Sequence, residues 1–124
     1  MFTFRKTERL CSQILIDRLF AEGDSFICYP LRINLLKISE PLDYPGQVLT
    51  IVSKKRFKRA VDRNFIKRRI REAYRLNKHL LYEILKVKNV NILISISYVG
   101  KEMPEYAAIE KQMKFMIEKI KLKV

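Results

Sequence analysis

The densest group of chemically active side chains in this sequence is a run of cations at residues 54–71, "KKRFKRAVDRNFIKRRIR". The run holds ten Lys or Arg and a single acid, Asp62. Guanidinium and ammonium groups donate hydrogen bonds to phosphate oxygens, and each contact with a nucleic-acid phosphate releases condensed counterions. Like charges one helical turn apart destabilise an isolated helix by roughly a few tenths of a kcal/mol per pair. The run is therefore unfavourable alone and favourable against a polyanion.

Helical spacing sorts part of this run into two adjacent rows. Residues three and four apart share one side of an α-helix, so Arg63, Lys67 and Arg71 form one row, and Asn64 and Arg68 form the next. We call these five residues the basic strip. The Asn64 amide can both donate and accept, which suits a base edge or a ribose 2′-hydroxyl.

A solvated charged helix face is the plain alternative for the basic strip. Such faces usually alternate in sign, whereas Asp62 and Glu72 are the only acids within or beside this one. Charge alone leaves DNA, RNA and an anionic membrane surface open as partners. A membrane helix needs free apolar residues that can insert, and here those residues are required for a core.

The residues that could catalyse a reaction or hold a metal are scattered along the chain. His79 is the sole His, and Cys11 and Cys28 form no CxxC pair. Cleavage of RNA by side chains would need paired carboxylates, a His pair or an activated nucleophile. We therefore predict no catalytic residue and no metal site, two buried or half-buried free thiols, and a surface or half-buried His79.

Length and composition set the class of protein. The 124 residues carry a net charge of +13, and 48% of them are hydrophobic. This predicts one domain, residues 1–124, with its own core and an acidic partner. No apolar run approaches the ~20 residues that span a bilayer, and the N-terminus has no secretory pattern. We expect a cytoplasmic protein with no membrane partner.

Apolar periodicity predicts the elements that position the basic strip. A first helix covers "SQILIDRLFAEG", with Ser12 as N-cap and Gly23 just past its end. Strands in "LRINLLKIS" and "QVLTIVS" are joined by the turn "PLDYPG", which suggests a hairpin. The near-continuous apolar strand "VNILISISYV" is typical of burial on both faces.

Two more helices complete the predicted α+β arrangement of a small sheet covered by helices. A long amphipathic helix begins near Arg59 and extends to Tyr82 or Leu85, with a break allowed at Asn77. The last helix has Pro104 in its first turn. The predicted apolar stripes are Ala60, Val61, Phe65, Ile66, Ile70, Ala73 and Tyr74 on the long helix, and Ala108, Met113, Met116, Ile117 and Ile120 on the last.

The segment "SKKRFKRAVDRNFIKRRIRE" resembles the signature of the bacterial ribonuclease P protein subunit. In that family a strand ends in Ser-Lys-Lys, a basic loop follows, and Ala-Val-x-Arg-Asn-x-x-Lys-Arg-x-x-Arg-Glu opens the long helix. Every fixed position has its counterpart here: Ser53, Lys54, Lys55, Ala60, Val61, Arg63, Asn64, Lys67, Arg68, Arg71 and Glu72. The N-terminal "RKTERLCSQILIDRLFAEGDSF" is also similar to the family's opening helix.

The resemblance implies both a fold and a function. The fold is a central mixed sheet of about four strands covered by about three helices, with a left-handed β-α-β crossover similar to a domain of a small-subunit ribosomal protein. The function is that of a monomeric RNA-binding subunit in a ribonucleoprotein that removes the 5′ leader from precursor tRNA. The catalytic RNA performs the hydrolysis with Mg²⁺ and leaves a 5′ phosphate, while the protein aids substrate binding and metal affinity. DNA is not a partner.

The resemblance also implies two sites. A cleft between the first helix and the sheet holds the single-stranded leader, with Ile16 and Phe20 on the helix and Asn34 or Leu35 on the strand. The residues implied to contact the RNA subunit are Lys54, Lys55, Arg56, Lys58, Arg59, Arg63, Asn64, Lys67, Arg68 and Arg71.

The sequence departs from the family pattern at the cleft. The family usually has two aromatic residues one turn apart on the helix, one on the strand, and a cation after the last strand. Here only Phe20 keeps its place, and "SISYVGKE" offers no obvious cation. Stacking on an aromatic ring contributes roughly 1 to 3 kcal/mol per base, so the cleft either binds bases more weakly or uses Phe20 with Tyr29 or Phe26.

Two other functions remain as alternatives. A generic structured-RNA-binding or ribosomal-type module would share the fold without assisting tRNA processing. A DNA-binding helix is disfavoured, because the sequence has neither helix-turn-helix spacing nor a dimerising heptad repeat.

Overall fold

Helices cover both faces of a four-stranded sheet. The structure is a computed structural model that describes residues 6–42 and 44–124, so Asp43 of the predicted turn lies outside it. A short 3₁₀ helix, Lys6–Glu8, comes first. The remaining elements are α1 (Gln13–Glu22), β1 (Asp24–Cys28), β2 (Leu31–Ile38), β3 (Gly46–Val52), α2 (Ala60–Lys88), β4 (Asn91–Tyr98) and α3 (Tyr106–Lys123). The α+β prediction is confirmed.

The strand order is β1-β2-β4-β3. The β4 strand pairs antiparallel with β2 and parallel with β3, so the predicted β2–β3 hairpin is wrong. Residues 92–96 of β4 are all buried, and an edge position would leave this apolar run uncovered. The true hairpin joins β2 to β1, a short and mostly exposed strand that the sequence patterns did not predict.

Alternation along the strands divides the apolar residues between two cores. On β4, Ile92, Ile94 and Ile96 belong to the large core under α2 and α3. Leu93 belongs to a smaller core that α1 covers with Leu19. The central strand therefore stabilises both layers at once.

The first helix has the ends that were predicted. The Ser12 hydroxyl accepts a hydrogen bond from the Leu15 backbone N–H at 3.4 Å, which satisfies one unpaired donor of the first turn. A side chain at Gly23 would collide with the Leu19 carbonyl and lie 3.0 Å from the Leu35 carbonyl. Glycine is needed here because the chain passes directly over the last turn of α1 and close to β2.

The α2 helix is longer than predicted, and it is continuous. No break occurs at Asn77, whose buried amide donates to the Ala73 carbonyl at 2.8 Å. The helix continues to Lys88 and ends at Asn89, which adopts the left-handed conformation with φ of 55°. The predicted apolar stripe is buried from Ile66 onward. Ala60, Val61 and Phe65 are exposed, so the prediction that they pack on the core is wrong.

Predictions for the last helix, the cysteines and the histidine are only partly confirmed. The α3 helix begins at Tyr106 because Glu105 is still extended, so Pro104 precedes the helix. Its Met113, Met116, Ile117 and Ile120 are buried as predicted, but Ala108 is exposed. Both thiols are free, and Cys28 is buried, whereas Cys11 is exposed. His79 is exposed, within the predicted range.

A buried ion pair ties the start of the described chain to α2. The Lys78 ammonium donates to Glu8 Oε2 at 2.5 Å, and the Tyr82 hydroxyl donates to the same oxygen at 2.6 Å. Glu8 is 0% exposed and Lys78 only 6%. Burial, together with its neighbours Tyr74 and Glu8, raises the pKa of Tyr82. Periodicity gave no signal for this cluster, because Lys78 counts as a polar residue.

We predict that Glu8→Ala strongly destabilises the fold. The substitution leaves the buried Lys78 ammonium without its carboxylate, which costs about 3–5 kcal/mol in the free energy of unfolding. Urea unfolding measures the effect. The exposed Glu83 on α2 offers a matched control, and Glu83→Ala should change stability by less than about 0.5 kcal/mol. Equal losses would show that the buried pair has no special role.

Candidate nucleic-acid interface

The basic loop between β3 and α2 is fixed by one apolar anchor. Phe57 is 8% exposed and packs on Tyr98, with ring centroids 5.8 Å apart. Its backbone N–H donates to the Ser53 carbonyl at 3.1 Å. Because Phe57 points inward, the flanking cations point out: Lys54, Lys55, Arg56, Lys58 and Arg59 are all exposed.

Arg63 of the basic strip holds this loop in place. Its Nη1 donates to the carbonyls of Phe57 and Lys58, each at 2.8 Å. The side chain is half-buried. Arg63 therefore contributes to loop conformation as well as to positive charge, a role that spacing alone did not predict.

The rest of the basic strip lies open along α2. Asn64, Arg68 and Arg71 are exposed, and Lys67 is half-buried. Within the described residues, no carboxylate forms an ion pair with any cation of the strip. The nearby acid Glu72 instead accepts a hydrogen bond from Arg75 Nε at 2.6 Å. No carboxylate of the described residues therefore neutralises the positive charge of the strip by an ion pair.

A further cation, Arg9, lies near Arg71 of the basic strip. Partial burial, and then the charge of Arg9, lower the pKa of Arg71. Arg9 reaches this position because its backbone bridges to Val48 at the sheet edge. The sequence analysis did not single out Arg9, since only the fold brings it beside α2.

An open groove of about 500 Å³ lies on the α1 face of the sheet. Strand register places polar residues in two rows across its floor: Ser25 and Asn34 in one, Arg32 and Ser97 in the next. Ser95, buried on β4, lies beside Asn34 in the first row. The Asn34 amide donates to the Ser95 hydroxyl at 3.0 Å, and Arg32 Nε donates to the Ser25 hydroxyl at 3.3 Å. These bonds orient the floor and leave Asn34 with a second N–H and its carbonyl oxygen.

The two rims of the groove differ in chemistry. Phe20, at the end of α1 and 49% exposed, forms one rim. Arg56 from the basic loop forms the other, and its Nη1 donates to the Val99 carbonyl at 3.0 Å. Arg56 thus supplies a cation beside the end of β4, where the sequence itself had offered none.

Not every predicted cleft residue lies in the groove. Phe20 and Asn34 line it. Leu35 does not line this groove, because strand alternation turns it into the core on the opposite face. Ile16 packs against the smaller core under α1, outside the groove lining.

Neither proposed aromatic substitute lines the groove. Phe26 packs on the large core, where the ammonium groups of Lys119 and Lys123 lie 5.6 and 5.4 Å from its ring centre. Tyr29 is exposed beyond the end of β1. Tyr98 lines the groove but is only 5% exposed, so base stacking in the groove would depend on Phe20.

The groove and the basic loop form one surface. Ser53 and Arg56 line the groove and also belong to the loop that leads into α2. Such a surface combines hydrogen-bonding groups for bases with cations for phosphates. In the described ranges, no three His, Cys, Asp or Glu side chains come together as metal ligands. The helices of these ranges include none that is long and apolar enough to cross a bilayer.

Comparisons with known proteins identify the family. The family model described as Ribonuclease P matches residues 4–121. The Ribonuclease P protein component of Porphyromonas gingivalis is 42% identical over 112 residues, which cover 90% of this chain and 82% of that protein. The one from Chlorobium phaeobacteroides is 30% identical over 133 residues, covering 97% and 89%.

Solved structures agree at the level of the fold. The RNase P protein of Staphylococcus aureus, 22% identical, has a TM-score of 0.71 over 91% of this chain and 94% of that one. The RNase P protein of Thermotoga maritima, also 22% identical, has a TM-score of 0.69 over 90% and 96%. Because the family model spans nearly the whole chain and relatives match over most of their length, this chain belongs to the ribonuclease P protein family.

Proposed function

We propose that this chain assists a catalytic RNA in removing the 5′ leader from precursor tRNA in the cytoplasm. The observation that carries the proposal is the continuity of the groove with the basic loop through Arg56. A single strand in the groove would pass directly to a surface that binds structured RNA. Membership of the family supports the same assignment.

The basic loop and the basic strip bind the RNA subunit in this proposal. Their cations neutralise phosphates, and Asn64 contacts a base edge or a 2′-hydroxyl. The groove binds the leader, with Phe20 stacking on a base and Asn34 offering hydrogen bonds. In this proposal the RNA subunit and the substrate hold Mg²⁺ and supply the hydrolytic chemistry.

Reconstitution tests the function directly. The purified chain is added to a bacterial ribonuclease P RNA at low Mg²⁺, and release of the leader from precursor tRNA is followed. We expect faster cleavage than with the RNA alone. RNA binding without stimulation would favour the alternative of a generic RNA-binding module.

We predict that Arg68→Ala lowers the salt dependence of binding to the RNA subunit. Loss of one phosphate contact should reduce the slope of log K against log salt by about one unit. Arg68 makes no hydrogen bond or ion pair among the described residues, so its removal should leave the fold intact. Arg63→Ala should reduce the slope as well, but it should also destabilise the basic loop.

The control for this measurement is Lys114→Ala, which removes one exposed cation from α3 instead of α2. Its slope should match that of the unmodified chain. If Arg68→Ala and Lys114→Ala gave equal slopes, the basic strip would not be the RNA-binding face.

We predict that Phe20→Ala weakens binding of leader-bearing precursor tRNA more than that of mature tRNA. Loss of one stacked base costs roughly 1 to 3 kcal/mol, and the half-exposed ring can be removed without a core cavity. Equilibrium binding to the reconstituted ribonucleoprotein measures both ligands. Ile14→Ala, on the same helix and 75% exposed, should leave both affinities unchanged. Equal losses for the two RNAs in Phe20→Ala would limit Phe20 to a structural role.

A further inference from the structure

An apolar groove between α2 and α3 lies away from the basic strip. It has a volume of about 380 Å³, and its lining residues are Leu80, Lys111, Lys114, Phe115, Ile117 and Glu118. Leu80 is 41% exposed and Phe115 51%. Two large apolar side chains from neighbouring helices thus lie side by side in contact with solvent.

The apolar surface continues toward the C-terminal ends of both helices. Val87 follows Leu80 by seven residues, and Leu122 follows Phe115 by seven, a spacing that returns to the same side of a helix. These two residues are 87% and 86% exposed. The two ends meet at Lys88, whose ammonium donates to the carbonyls of Lys121 and Val124 at 3.0 and 2.6 Å. The helices therefore run in the same direction and present a paired apolar stripe.

The charge around this stripe selects the occupant. Lys111 and Lys114 are exposed at the groove, against one lining acid, Glu118. A second copy of the chain is disfavoured, because each carries a net charge of +13. A nucleic acid gains little from an apolar centre, since its binding depends on phosphate contacts. A helix with an apolar stripe and acidic flanks matches both the shape and the charge.

Helix geometry also separates this surface from the RNA-binding face. Arg71 precedes Leu80 by nine residues, which at 3.6 residues per turn is about two and a half turns, so the two lie on opposite sides of α2. Occupation of the α2–α3 surface does not block the basic strip.

We propose that the α2–α3 surface docks an acidic amphipathic helix of a partner protein. The apolar side of that helix packs between Leu80 and Phe115 and extends along Val87 and Leu122. Its flanking carboxylates pair with Lys111 and Lys114. This inference does not depend on leader binding in the other groove.

The experiment uses the full chain and a labelled helical peptide with Leu at heptad spacing and Glu elsewhere. A comparison peptide of identical composition has its Leu residues distributed around the helix. Fluorescence anisotropy should show at least about tenfold tighter binding of the first peptide, the range expected for apolar anchors at an interface. Equal affinities would overturn the proposal, because binding would then be electrostatic only.

Variants locate the peptide on the surface. The double variant Leu80→Ala with Phe115→Ala should bind the amphipathic peptide about tenfold more weakly or worse. Both side chains are exposed enough to be truncated without unfolding the protein. The double variant Lys111→Glu with Lys114→Glu should weaken binding of this peptide more than the control with the same charge change, Lys54→Glu with Lys55→Glu. Unchanged affinity in the alanine variant, or equal effects of the two charge reversals, would overturn the proposal. The proposal would also be overturned if the unmodified chain sedimented as a dimer and the alanine variant as a monomer, because the surface would then bind a second copy of the chain.

Discussion

The structure depends on the burial of β4 on both faces. An apolar strand of this kind must have a paired strand on each side and a covered layer above and below. The β2 and β3 strands meet the first requirement, and the cores under α1 and under α2 with α3 meet the second. Because β3 and β4 are parallel, the chain must cross from one end of the sheet to the other, and α2 is that crossover. The basic loop and the basic strip are therefore fixed at the end of β3 by the same constraint.

Apolar packing and hydrogen bonds fix the conformation of the segment that carries the cations. Phe57 anchors the middle of the basic loop, and Arg63 binds two loop carbonyls. Elsewhere, Lys78 is buried against Glu8, so one lysine of α2 contributes to the interior instead of the surface. Most of the remaining cations of the loop and strip are exposed, so solvent screens their repulsion in the free protein.

Much of this arrangement could be predicted from the sequence, because local patterns carry it. The caps of α1, the start of α2 and the burial of β4 follow from residue type and period. The hairpin error arose because a turn between β2 and β3 is compatible with either adjacent or separated strands. The apolar pattern could not identify Lys78 as buried, and strand propensity alone could not decide whether Asn34 or Leu35 faces the groove. The sequence did not indicate that Arg56 lines the groove or that Arg9 lies near the basic strip, because tertiary contacts place both residues there.

The length of the groove follows from a change of residue type along one face of the sheet. On β2 the α1-facing positions pass from Ile38 and Leu36 to Asn34 and Arg32, and on β4 from Leu93 to Ser95 and Ser97. The apolar half requires a cover and receives α1, which ends at Gly23. The polar half remains hydrated without a cover, because its side chains bond to one another or to water. An apolar floor of this size would favour collapse or association, so the polar side chains of the floor keep this groove open.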